Sequence, residues 1–195
     1  AMEAPPTSGT SGSGTTTMQH LNLDPEQLIV PEAIPIPGIA PEMLSGAASG
    51  VRTSGLEVEA AGQDIRTVWQ ALGSVYTAPE SDLLLRAADP IANLGSEFGG
   101  KMVAAATVLQ EFAESVGRLK DQLLRLRGIA QDFVDSVGDD WKEDSETVDK
   151  NVGMKGLANL MIPSVQSAER ECANKITGLF GGTTFVPANG GDPRE

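Results

Sequence analysis

Between Phe98 and Val137, apolar residues recur at spacings of four and three without a miss: Phe98, Met102, Ala105, Leu109, Phe112, Val116, Leu119, Leu123, Leu126, Ala130, Phe133 and Val137. Only a helix returns side chains to one face at a mean spacing of about 3.5 residues. The run therefore predicts one long helix, about 60 Å at 1.5 Å per residue, that needs a second helix along its seam. A candidate partner follows at Met154, Ala158, Met161, Val165, Ala168, Cys172, Lys175 or Ile176, and Leu179. Pro163 lies inside that pattern and predicts a kink, because proline removes a backbone donor.

"GDDW", Gly138–Trp141, reads as the turn between them. Gly138 ends the first helix and Asp140 caps the next, with Glu143 completing a capping box. Upstream, Val58, Ala61, Ile65, Val68, Leu72 and Val75 keep the same rhythm. Ala78-Pro79 stops that helix, and Pro79 opens another with Glu80 and Asp82 near its positive end. Asp89-Pro90 repeats the signal. Gly95 and Gly99 cost the long helix roughly 1 kcal/mol each relative to alanine, yet permit close helix approach. The predicted fold class is all-α. A long antiparallel helical hairpin, coiled-coil-like (about 90–137 against about 141–180), has an additional N-terminal helix (about 52–76) packed near its open end.

Residues 1–50 differ from the rest. They carry five acidic residues and no lysine or arginine, and "PPTSGTSGSGTTT" and "VPEAIPIPGIAPE" exclude a long helix. The expectation is a disordered or extended leader with a short helical turn at Pro41–Ala48. Leu28, Ile29, Val30, Ile34, Ile36 and Ile39 would also let it lie on a helical body as a strap. Residues 51–182 form the helical domain. Gly181-Gly182 stops it, and 183–195 reads as a linker toward a further C-terminal domain.

A formal net charge of −13 and a pI near 4.4 argue against nucleic acid and anionic membranes as partners. No apolar run approaches the roughly 18 residues that span a bilayer, so stable membrane insertion is not expected. No general secretory signal is visible at the N-terminus. The single histidine, His20, sits in the leader, so serine and cysteine nucleophiles lack a base on the folded part. Cys172 falls on a seam and reads as a small core hydrophobe. Six carboxylates occur within Asp139–Asp149, but without the alternation or the glycine of a calcium loop. That tip (Asp139, Asp140, Trp141, Glu143, Asp144) reads as a solvated turn or as a docking surface for a basic partner. No enzyme activity, cofactor or metal is expected.

"VWQALGSVYTAPE", Val68–Glu80, concentrates scarce aromatics: the one tyrosine, and one of two tryptophans, in a chain with 4% aromatic residues. Trp69 and Tyr76 are two helical turns apart, so a continuous helix places them on one face. Two compatible readings follow: the rings fill the junction of three helices, and with Pro79 and Glu80 they form a recognition corner; rings with a polar tip suit interfaces.

Trp69 followed by Tyr76-Thr77-Ala78-Pro79-Glu80 resembles the Tyr-x-x-x-Asp/Glu element of type VII (ESX) secretion substrates, with Ala71 where the W-x-G form has glycine. "LLRLRGIAQDFVDSVGDDWKEDSETVDKN" and "SAERECANKITGLFGGTTF" extend the likeness over roughly residues 51–185. Together they resemble the N-terminal domain of actinobacterial polymorphic toxins, a WXG-like helical module. The resemblance implies a non-catalytic export and pairing module, secreted or at the cell surface. Trp69, Tyr76, Pro79 and Glu80 would be its secretion signal. The implied partners are the type VII machinery and a small WXG-like helical hairpin, or a second copy. The alternative is a secreted, self-assembling structural or pore-forming helical protein.

Overall fold

A computed structural model describes residues 18–75, 78–79 and 81–182. Helices are the only regular structure among them: α1 (Pro41–Ala71), α2 (Ser81–Arg86), α3 (Asp89–Ser136) and α4 (Ser145–Leu179). Three 3-10 turns, at Pro31–Ala33, Leu72–Ser74 and Trp141–Glu143, join them. The all-helical class and the long central helix follow the sequence rhythm. At 48 residues, α3 is about 72 Å long.

Contact partners run in opposite order along α3 and α4. Phe98 meets Phe180, Glu111 meets Lys175, and Leu123, Leu126 and Ala130 share a core with Ala158. The order also reverses between α1 and α3, from Pro41 beside Gly117, through Arg52 with Thr107, to Arg66 with Asp89. α1 therefore lies along the half of α3 away from the turn.

α1 begins at Pro41, ten residues before the expected domain boundary. Pro41 suits a first helical position and Glu42 complements the positive helix end. Glycines 46, 50, 55 and 62 depress local propensity, so packing must supply the stability. It does so through glycine itself. A Cβ placed on Gly99 would sit 2.5 Å from the Gly55 carbonyl, and one on Gly62 would sit 3.2 Å from the Ala92 carbonyl. The two backbones touch where side chains would hold them apart.

This corrects the expected α1 seam. Ala48, Gly55 and Gly62 face α3 and are buried. Val68 is 71% exposed and Val75 81%, with Ile65 also exposed. The heptad stripe points outward.

The cap of α4 is also corrected. Trp141–Glu143 winds as a 3-10 turn, so the α-helix starts later and Asp144, not Asp140, caps it. The Asp144 carboxylate accepts from the Glu146 amide (3.2 Å) and the Thr147 hydroxyl. α4 continues through Pro163. At its end Gly181 adopts φ +74°, and the Gly182 amide donates to the Thr177 carbonyl (2.9 Å), closing the helix as the Gly-Gly pair predicts.

Residues 18–40 are extended and lie on the helices. The segment runs along α4 from Asn159 toward Asn151, turns at Pro31–Ala33, and returns along α3 past Arg127 and Lys120. Ile29 and Ile34 flank that turn and join Leu123, Leu126, Ala130 and Ala158 in one core. The strap thus covers the half of α3–α4 that α1 leaves bare.

Candidate interaction surface

The outward stripe of α1 meets the first turns of α3 in a shallow apolar groove of about 420 Å³, with Val58, Ile65, Ile91, Leu94 and Phe98 on its walls. Ile91 is 54% exposed and Leu94 67%. Val68, Val75 and Leu83 are exposed as well, while Phe98 leans on Phe180 with ring centroids 6.0 Å apart. Contiguous apolar surface of this kind marks an interaction site more often than single exposed side chains do. Glu57 and Asp64 border the stripe on α1 and are exposed.

Hydrogen bonds tie the corner together. The Arg66 guanidinium bonds Asp89 (3.2 Å) and Asn93 (2.7 Å), fixing the end of α1 to the start of α3. Trp69 donates its indole N–H to the Leu84 carbonyl, tying α1 to α2. Trp69 is therefore half-buried and partnered. Pro79 is exposed in the turn before α2, where the Ser81 amide donates to the Ala78 carbonyl (3.0 Å). Tyr76 and Glu80 lie outside the described residues. α1 closes at Ala71 and a 3-10 turn follows, so no single helix runs from Trp69 to position 76.

The acidic tip divides. Asp139, Asp140 and Glu143 are exposed. The Lys142 ammonium stands 5.8 Å from the centre of the half-buried Trp141 ring, a cation–π distance. Asp144 is committed to the α4 cap, and the Thr147 hydroxyl and Glu146 amide hold its carboxyl below the usual range. Among the described residues, no group of three or more His, Cys, Asp or Glu side chains could hold a metal ion. Cys172 is buried, which pushes its thiol up.

Sequence reasoning missed the side chains that hold the strap. Asn151 and Lys155 are buried, and with Asn159 they form a polar row at spacing four on α4. The Asn151 carboxamide accepts from the Ile29 amide (2.7 Å) and donates to the Gln27 carbonyl (2.8 Å). Asn159 brackets Leu21 in the same way, at 2.7 and 2.9 Å. Lys155 donates to the Asp24 and Gln27 carbonyls, and desolvation lowers its pKa below the ordinary lysine value. A polar row beside an apolar seam was the available signal.

No protein-family model matches the chain, and neither a curated protein nor a solved structure does. A functional reading rests on the residues and their geometry.

Proposed function

We propose that the chain is a non-catalytic export and protein-interaction module of a type VII secreted effector, a toxin N-terminal domain of the WXG-like kind. The exposed apolar groove between α1 and α3 carries this reading: its apolar stripe has helical spacing and no covering element among the described residues. A stripe at that spacing fits a helix in its groove, such as a small helical hairpin. The reverse contact order of α3 and α4 favours the antiparallel hairpin that the heptad seams and the turn between them predict. The signal is assigned to Trp69, Tyr76, Pro79 and Glu80, with the apolar groove as the pairing face. Among the described residues no helix is long and apolar enough to cross a membrane. Secretion or surface display is the matching location.

The test is export of the tagged chain from an actinobacterial host with and without a working type VII system. Wild type should leave only the competent host, and Tyr76→Ala, shown to fold by circular dichroism, should be retained. Equal export from the deficient host would sink the reading. Self-assembly is the second reading, favoured by the same heptad stripe. It requires a solution mass that is a multiple of 20.3 kDa.

A further inference from the structure

Side chains of α3 and α4 grip the strap's main chain along its length. Five strap carbonyls, those of Leu21, Asp24, Gln27, Ile34 and Ile39, accept hydrogen bonds from Asn159, Lys155, Asn151, Arg127 and Lys120. The Leu21 and Ile29 amides donate back to the two asparagines. Main chain, not strap side chains, is what these groups contact. Asn151 and Lys155 are buried polar groups whose desolvation needs these partners. Side-chain discrimination comes from Ile29 and Ile34, both buried at the proline turn, together with the buried Pro31 and Pro37. The fit is incomplete, since Nε of Arg127 is buried without a partner.

We propose that the groove formed by α3 and α4 near their turn is a binding site for an extended, proline-punctuated polypeptide segment, and that residues 21–39 are its tethered ligand. Recognition runs through backbone brackets at fixed spacing plus a pair of aliphatic anchors. A segment of the same form from a second chain satisfies the same groups. In the intact chain the tether gives the native segment an effective concentration of about millimolar, which excludes competitors. Cutting the tether removes that advantage and leaves the intrinsic affinity.

Gly38 is the place to cut, being exposed, with nothing within 4 Å of a Cβ added there. A specific protease site inserted there would be cleaved after folding. A fluorescent synthetic peptide of residues 18–38 is then titrated into the nicked chain, followed by anisotropy. The expected result is saturable one-to-one exchange into the nicked chain and none into the intact chain at micromolar peptide. Asn151→Ala should weaken uptake by about tenfold, because it strands the buried Ile29 amide, while the Gln27 carbonyl keeps Lys155. A peptide with Ile29→Asp and Ile34→Asp should not exchange. The Asn151→Ala chain must keep its helicity; if it does not, Asn159→Ala, at the strap's far end, serves in its place and should also weaken uptake. Absence of exchange, nicked chain that unfolds once the segment leaves, or asparagine variants that bind as well as the parent would each overturn the proposal.

Discussion

Gly99 and Gly100 are neighbours with the same helix propensity and opposite surroundings. A methyl on Gly99 meets the Gly55 carbonyl, whereas Gly100 has nothing within 4 Å. Gly100→Ala should stabilise by up to about 1 kcal/mol through backbone entropy. Gly99→Ala should instead destabilise by about 1–3 kcal/mol, as overpacking does, because α1 must move off α3. Urea unfolding of the pair checks both signs; a stabilised Gly99→Ala would refute the backbone contact. Lys155 carries a pH signature. Its folded pKa lies below the ordinary lysine value of 10.5, so the folded state binds its proton less tightly than the unfolded one. The desolvation cost is present below the folded pKa and is relieved as pH rises through it toward 10.5. The stability difference between wild type and Lys155→Met should therefore shift in favour of wild type over that alkaline window, measured by denaturant titration.

At the scale of elements, α1 and the strap divide the surface of α3–α4 between them. α1 packs by its glycine side and leaves its stripe to solvent. Val68→Gln, at a position 71% exposed, should therefore change stability by no more than about 0.5 kcal/mol, while the same change in a core would cost far more. A large loss would mean that the stripe is internal. Ile34 is fully buried under the strap's turn. Ile34→Ala should cost about 2–5 kcal/mol of strap docking. The loss should appear as protease sensitivity in residues 18–40 while far-UV circular dichroism hardly changes, because the strap is not helical. α4 depends on Asp144 for its first turn. The cap's stabilisation is present above the unfolded carboxyl value of 3.8 and is lost as pH falls through the lower folded value.

For the whole molecule, a net charge of −13 is spread over an elongated body. Self-repulsion of that size opposes compaction and is screened by salt. The melting temperature should rise between low and physiological ionic strength; a fall would mean that attractive ion pairs dominate. Three of the five ion pairs among the described residues argue for a rise. Those at Glu97–Lys101, Glu146–Lys150 and Glu171–Lys175 are exposed i,i+4 pairs, which contribute little.

The sequence by itself determined the all-helical class, the long α3, its start at Asp89-Pro90 and the Gly-Gly stop of α4, because heptad spacing and these local signals act within a few residues of chain. It did not place the start of α1 at Pro41, its end at Ala71, seven residues before Ala78-Pro79, the start of α2 at Ser81 or the α4 cap at Asp144. It also exposed one buried stripe of α3, which includes Ala105, Val116, Leu123, Leu126 and Ala130, but not the second, where Ala92 and Gly99 meet α1. Packing faces elsewhere were decided by tertiary structure. On α1 an apolar stripe and a glycine row compete for α3, and the glycines win because they let two backbones touch over several turns. The strap was legible only as apolar residues in a proline-rich segment. Its place depends on Asn151, Lys155 and Asn159 meeting backbone more than a hundred residues away, and no local pattern encodes a pairing of that range. The interaction groove arises in the same way: neither wall is unusual alone, and it exists because α1 turns its heptad stripe away from the helix it packs on.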